Sequence, residues 1–116
     1  MISRYAIEFS EEAERDFAMV LDHLFESYRS LGEPVDAAVD LAGRRVLDIR
    51  RAAERLATAP HRGTARSDLG EGMRFLALEG AVYWFEIDDV ERKVRVLAVF
   101  FGGQDHVRHM LLRLLR

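Results

Sequence analysis

Cysteine is absent from this chain of 116 residues, and lysine occurs once, at Lys93. Without cysteine there is no disulfide, no thiolate metal ligand and no cysteine nucleophile. No apolar run approaches the ~18 residues that a membrane span needs, and the start lacks the apolar core of a secretory signal. We therefore expect a cytoplasmic protein without a membrane segment. Its length predicts a single domain over residues 1–116, because two independent cores need more chain.

A strong positive charge is also missing. The formal net charge is −3. Residues 1–60 carry −4 (8 Arg against 12 Asp and Glu), and residues 61–116 carry +1 (9 Arg and Lys against 8 Asp and Glu). Proteins that bind nucleic acid depend largely on basic side chains that neutralise phosphates. We therefore expect no direct sequence-specific contact with nucleic acid, and only local basic patches would permit any contact.

The N-terminal half predicts a strand followed by a long helical hairpin. Residues 3–9 alternate between polar and apolar side chains, which is typical of a half-buried strand. Ser10 suits the N-cap of a first helix that ends at Gly32, and Pro34 suits the first position of a second helix. We expect that helix to end near Thr58, and the short connection makes the two helices antiparallel neighbours.

The C-terminal half predicts an antiparallel meander after a loop over residues 60–72. The first two strands flank Glu79-Gly80, a plausible two-residue hairpin turn. The predicted strands cover 73–78, 81–87 and 94–101. The last strand is apolar on both faces, which predicts a central position in the sheet. Its alternation predicts two opposite sets of side chains: Val94, Val96, Ala98 and Phe100 on one face, and Leu97, Val99 and Phe101 on the other.

A short basic amphipathic helix is predicted after Gly102-Gly103. Its leucines pack on the sheet, or its end projects and docks on a partner. The predicted fold is therefore α+β with the order β-α-α-β-β-β-α. A long N-terminal helical hairpin packs on an antiparallel sheet, and a short amphipathic helix ends the chain.

The sequence contains no strong signature of catalysis. It has no phosphate-binding glycine loop and no nucleophile elbow. His106 and His109 lie three residues apart, but no third ligand completes a zinc site, and we expect neither metal nor cofactor. Arg74 lies inside a predicted strand. It is either solvated or paired with an acid such as Glu86, or it is a positive anchor on the concave face of the sheet.

Six short motifs follow one another along the chain. They are FSEEAERD at 9–16, LATAPHRG at 56–63, DL at 68–69, GMR at 72–74, YWFEID at 83–88 and VLAVFFGGQD at 96–105. In this order and spacing the chain resembles the RelE/ParE superfamily of bacterial type II toxins, and the ParE branch in particular. The resemblance runs from Tyr5 to about Asp105.

The resemblance implies a toxin that is neutralised by a cognate antitoxin. The C-terminal segment of the antitoxin wraps around the toxin. A helical hairpin beside an open sheet offers a groove and an edge for such a partner. We expect the apolar stripe of the hairpin to bind the antitoxin, through Phe17, Leu21, Leu24, Val46 and Ile49. An apolar groove left bare would allow the free chain to form a homodimer.

The two branches of the superfamily differ in mechanism. RelE-like members cleave mRNA on the ribosome with a basic cluster and a tyrosine, whereas ParE-like members inhibit DNA gyrase. The long hairpin, the single lysine and the lack of a tyrosine after Tyr83 favour the gyrase inhibitor. No catalytic residue is then expected, and Arg74 would be catalytic only in a nuclease. The predicted target-binding residues are Arg74, Gln104, Asp105, Arg108 and Arg113.

Two positions depart from the ParE pattern. Gln104 stands where an arginine is usual, and Phe101 stands where a histidine is usual. The far end of the sheet therefore has less positive charge than the resemblance implies. This leaves a third hypothesis beside the gyrase inhibitor and the ribosome-dependent mRNA endonuclease: a non-toxic protein that only binds antitoxin.

Overall fold

The computed structural model describes residues 4–102 and 105–116. Three α-helices and a five-stranded mixed sheet make up the described chain, and the predicted α+β fold is confirmed. The elements are β1 Ala6–Phe9, α1 Glu11–Ser30, α2 Val35–Ala52, 3-10 turns at Ala53–Ala57 and Pro60–Arg62, β2 Thr64–Ala65, β3 Met73–Leu78, β4 Ala81–Asp88, β5 Lys93–Phe101 and α3 His106–Leu114. No helix within the described ranges is both long and apolar enough to cross a membrane.

The helical hairpin begins and ends as local sequence signals predict. The Ser10 hydroxyl accepts a hydrogen bond of 3.1 Å from the amide of Ala13, so it caps α1. Gly32 follows α1 with φ of +98°, a left-handed conformation that favours glycine. Pro34 is the N-cap of α2 and not its first helical residue. The α-helix ends at Ala52, earlier than predicted, because the chain continues as 3-10 turns.

The sheet has the strand order β1-β5-β4-β3-β2. Strands β3, β4 and β5 form the predicted antiparallel meander, and β5 is an interior strand as predicted. The first turn is tight because Glu79 and Gly80 have φ of 53° and 78°. The sheet is mixed because β1 pairs with β5 in parallel. The loop predicted over 60–72 contains β2, a two-residue strand paired with β3.

A β-bulge in β5 makes the predicted alternation of its side chains wrong. The register passes from Trp84 opposite Ala98 directly to Phe85 opposite Val96, which leaves Leu97 as an extra residue. Before the bulge Val96 faces the hairpin, and after it Ala98 faces the opposite side. The bulge therefore lets one strand contribute to two cores.

Each face of the sheet carries its own apolar core. The larger core lies under the hairpin and includes Ile49, Leu56 and Phe85, all fully buried. The smaller core lies under α3, where Met110 packs against Trp84. The leucines of α3 are not buried on the sheet, since Leu111, Leu112 and Leu114 are exposed by 38%, 52% and 43%. Helix α3 thus covers the second face with a short row of side chains.

One buried hydrogen bond joins the hairpin to the middle of the sheet. The Tyr83 hydroxyl donates to the backbone carbonyl of Ile49, and both residues are inaccessible to solvent. Burial is the main cause that raises the pKa of the Tyr83 phenol above its ordinary value, so the neutral donor form is favoured. The bond lies near the point where α2 gives way to 3-10 turns.

We predict that Tyr83→Phe lowers the free energy of unfolding by about 1–3 kcal/mol, because the Ile49 carbonyl loses a buried donor. Urea denaturation measures the change. Tyr28→Phe is the matched control, because the Tyr28 hydroxyl has no hydrogen bond to any other described residue, and it should change stability by less than about 0.5 kcal/mol. Equal effects of the two substitutions would show that the Tyr83 bond adds nothing.

Candidate functional site

Arg74 anchors a loop of its own chain. Its Nη1 donates to the carbonyl of His61 at 3.1 Å and to the carbonyl of Gly63 at 2.7 Å. The loop lies so close to the sheet that a Cβ at Gly63 would stand 2.8 Å from the Phe75 carbonyl oxygen. The guanidinium does not pair with Glu86, one of the partners considered from sequence, because Glu86 lies opposite Met73 across the ladder. Nη1 of Arg74 is therefore engaged in hydrogen bonds within the fold.

Arg113 is held by a buried carboxylate. Its Nη1 donates to Asp16 Oδ2 at 2.8 Å, and its Nη2 donates to Asp16 Oδ1. The hydrogen bond to Asp16 raises the pKa of the Arg113 guanidinium above its usual value. The same guanidinium lies 4.9 Å from the centre of the Phe100 ring. Asp16 is 3% exposed, so this is a bidentate ion pair at the edge of the core.

The position of Asp16 follows from the early end of β1. Because β1 stops at Phe9, the next part of β5 has no strand beside it on that edge. The Ser10 amide donates to the Val96 carbonyl at 2.9 Å, and the Ser10 hydroxyl lies 3.2 Å from the Leu97 carbonyl. Six residues after Ser10, Asp16 accepts at Oδ2 a hydrogen bond of 2.9 Å from the Val99 amide. Helix α1 thus replaces the missing strand with side-chain hydrogen bonds.

Asp105 and Arg108, two of the other residues predicted to bind the target, lie at the start of α3. Asp105 is the N-cap of α3, and its carboxylate accepts from the Arg108 amide at 3.2 Å. The Arg108 side chain is exposed and forms no ion pair within the described ranges. Gln104 lies outside the described residues. A role of these residues in target binding stays a prediction.

The apolar stripe of the hairpin is not a free surface. Phe17, Leu24 and Ile49 are buried against the chain's own sheet. Val46 is half-buried, and Leu21 is 37% exposed. The sequence pattern identified residues that pack inside the fold, because helical periodicity marks the face that is buried without saying what covers it. A partner would reach three of the five predicted residues only by opening the hairpin.

An open groove of about 810 Å³ runs between α1 and α3 beside the end of β5. Its apolar lining includes Met19, Phe101 and Leu112, and Met19 is 64% exposed. Basic and imidazole side chains line the rest: His23, His109, Arg113 and Arg116. Sequence reasoning missed this groove. The available signal was that Met19 and Leu112 fall outside the apolar stripes of their helices.

A second cluster joins three segments at the other end of β5. The Tyr5 hydroxyl donates to Asp89 Oδ1 at 2.5 Å, and His61 Nε2 lies 3.1 Å from the same oxygen. The bond from Tyr5 is the main cause that lowers the pKa of Asp89, and it raises the pKa of the Tyr5 phenol. All three side chains are partly open to solvent, so the cluster presents an imidazole oriented by a carboxylate.

Comparison with known proteins finds similar folds among solved structures. No family model matches the sequence, and no curated protein matches it. Among solved structures, the chain is similar to one of the chromosomal ParDE toxin–antitoxin system from P. aeruginosa, with a TM-score of 0.63 and 20% identity over 86% of this chain and 98% of that one. It is also similar to the RelBE2 toxin–antitoxin complex from Mycobacterium tuberculosis, with a TM-score of 0.61 and 19% identity over 90% of this chain and 98% of that one.

A third similar structure is a mutant E. coli toxin RelE in the free state, with a TM-score of 0.55 and 13% identity over 95% of this chain and 96% of that one. The chain has the RelE/ParE toxin fold. Within this fold, Arg74 and Arg113 are engaged by their own chain. Two exposed features remain on this RelE/ParE-fold protein as candidate sites: the groove between α1 and α3 and the cluster around Asp89.

We predict that Arg113→Gln lowers the free energy of unfolding by about 3 kcal/mol, because it leaves the buried Asp16 carboxylate without its cation. Arg108→Gln is the matched control on the same helix, and it should cost less than about 0.5 kcal/mol. Denaturant unfolding of both variants measures the difference. Combining Arg113→Gln with Asp16→Asn should cost less than the sum of the single changes, and strict additivity would argue against a coupled pair.

Proposed function

We propose that this protein is the toxin component of a type II toxin–antitoxin pair and that a cognate antitoxin neutralises it. The observation that carries the proposal is the fold, which matches 98% of the chain compared in both the ParDE and the RelBE2 structure. Those structures are described as toxin–antitoxin systems. A fold alone does not determine a function. The shared length and the sequence motifs from 9–16 to 96–105 give the proposal its further support.

We propose that the target is DNA gyrase. Helices α1 and α2 have 20 and 18 residues, a length that fits the ParE branch. Cleavage of mRNA would need several free basic groups around Arg74, but its Nη1 already has two carbonyl partners. Lysine occurs once, and no tyrosine follows Tyr83. A toxin that lacks this basic cluster and tyrosine acts by binding its target, which agrees with gyrase inhibition.

We propose the groove between α1 and α3 as the seat of the antitoxin. It carries exposed apolar side chains, whereas most of the hairpin stripe is buried. Asp16 and Arg113 already neutralise one another on its floor. Arg116, which is exposed and has a 3.6 Å contact with Glu12, adds a further positive charge to the groove. The matching partner is an amphipathic segment with an apolar face and acidic flanks.

One observation favours the ribosome-dependent mRNA endonuclease as the second candidate. Asp89 orients the His61 imidazole, and the His61 carbonyl lies 3.1 Å from Arg74 Nη1. A general base and an arginine are therefore joined in one local network. The exposed Arg62 is the next residue along the chain and could contact a phosphate. Such a nuclease would depend on His61, which ParE-like inhibition would not require.

We predict that expression of this chain alone arrests growth and that co-expression of the product of an adjacent short reading frame restores it. Purified chain should inhibit supercoiling by gyrase in proportion to its concentration, while mRNA in a translating extract stays intact. His61→Ala should leave both results unchanged.

Each other outcome selects a different function. If the chain cuts mRNA and His61→Ala abolishes the cutting, the function is endonuclease activity and not gyrase inhibition. Normal growth on induction of a folded, soluble chain would leave only antitoxin binding.

We predict that Leu112→Glu weakens binding of the antitoxin at least about tenfold, because it places a charge in an apolar contact and repels acidic flanks. Isothermal titration with the antitoxin's C-terminal segment measures the affinity. Leu31→Glu is the matched control, since Leu31 is 81% exposed and lies outside the groove. Equal affinities of the two variants would exclude the groove as the binding site.

A further inference from the structure

The outer face of α2 carries an apolar stripe with a glycine at its centre. Val39 and Leu47 lie four residues before and after Gly43, and they are 51% and 50% exposed. A Cβ added at Gly43 would meet no atom within 4 Å. Glycine inside a helix costs roughly 1 kcal/mol relative to alanine. The single chain offers no steric reason for that cost, whereas close approach of a second helix would.

The charges on the same helix are segregated along its length. Asp36 and Asp40 precede Gly43, while Arg44 and Arg51 follow it. Asp36, Asp40 and Arg44 are exposed and form no ion pair with any residue that the structure describes. Arg51 makes a single contact of 4.0 Å with Asp48. The first half is acidic and the second half, which also contains Asp48, has a net positive charge, so this face is complementary to an antiparallel copy of itself.

We propose that two copies of this chain associate through α2, with the helices antiparallel and a two-fold axis at Gly43. The axis sets Val39 of each copy level with Leu47 of the other, so the apolar side chains meet on both sides of the glycine. It also brings Asp40 within one helical turn of Arg44 in the second copy, and Asp36 near Arg51. The two glycines face each other and permit the backbones to approach closely.

The resulting dimer is weak and leaves the other surfaces open. One helix pair buries less than the roughly 1,600 Å² of a standard interface, so we expect dissociation in the micromolar range or above. The groove between α1 and α3 includes no residue of α2. The association therefore does not depend on the toxin role proposed above, and a chain with its groove filled would still dimerise.

Gly43→Ala tests the proposal, because it should stabilise the monomer and weaken the dimer. In the monomer it should raise the thermal midpoint, because alanine favours the helix and meets no clash. In the dimer the two added methyl groups separate the helices, so the dissociation constant should rise at least about tenfold. Sedimentation velocity of free chain from cell-free synthesis measures association. A more stable variant with unchanged association would overturn the proposal, as would a wild-type chain that stays monomeric at millimolar concentration.

Charge reversal tests the two-fold arrangement directly. Asp40→Arg and Arg44→Asp should each weaken self-association at least about tenfold, since each places like charges across the axis. An equimolar mixture of the two variants should associate at least as tightly as wild type, because every pair in the mixed dimer is opposite in sign. Asp22→Arg, an exposed change on α1, should have no effect. Failure of the mixture to associate, with both variants folded by circular dichroism, would overturn the antiparallel arrangement.

Discussion

The buried carboxylate of Asp16 is the interaction on which the rest of this structure depends. It accepts the Val99 amide of β5 and the guanidinium of Arg113 on α3, while its own backbone belongs to α1. A buried charge is tolerated only when its partners replace the water it loses. Here one side chain holds both layers that cover the sheet, because α1 belongs to the hairpin on one face and α3 covers the other.

This arrangement determines which features remain for recognition. Arg113 is occupied by Asp16, and Arg74 holds the loop that carries His61 and Gly63. These two arginines therefore form hydrogen bonds within the chain. Arginine suits this role better than lysine, because its planar guanidinium contacts several oxygens at once. What faces outward is an apolar groove, an oriented imidazole and the outer face of α2. These features suit protein partners better than a phosphate backbone.

Local signals in the sequence predicted local structure well. The cap at Ser10, the stop at Gly32 and the turn at Glu79 and Gly80 each depend on neighbouring residues only, and each was correct. The features that sequence reasoning missed depend on distant pairing. The bulge at Leu97 reverses the faces of β5, and only the register against β4 reveals it. Likewise, no local signal marks Asp16 as buried, because its partner Arg113 lies 97 residues away.

Native-state hydrogen exchange at the Val99 amide tests the central claim most directly. This amide lies beyond the end of β1, where it has no strand to pair with on that side, and its acceptor is Asp16. The account predicts that the Val99 amide exchanges only through global unfolding, with the same free energy as amides in the middle of β4. Exchange as fast as that of the exposed chain ends would contradict the claim that Asp16 holds the two layers together.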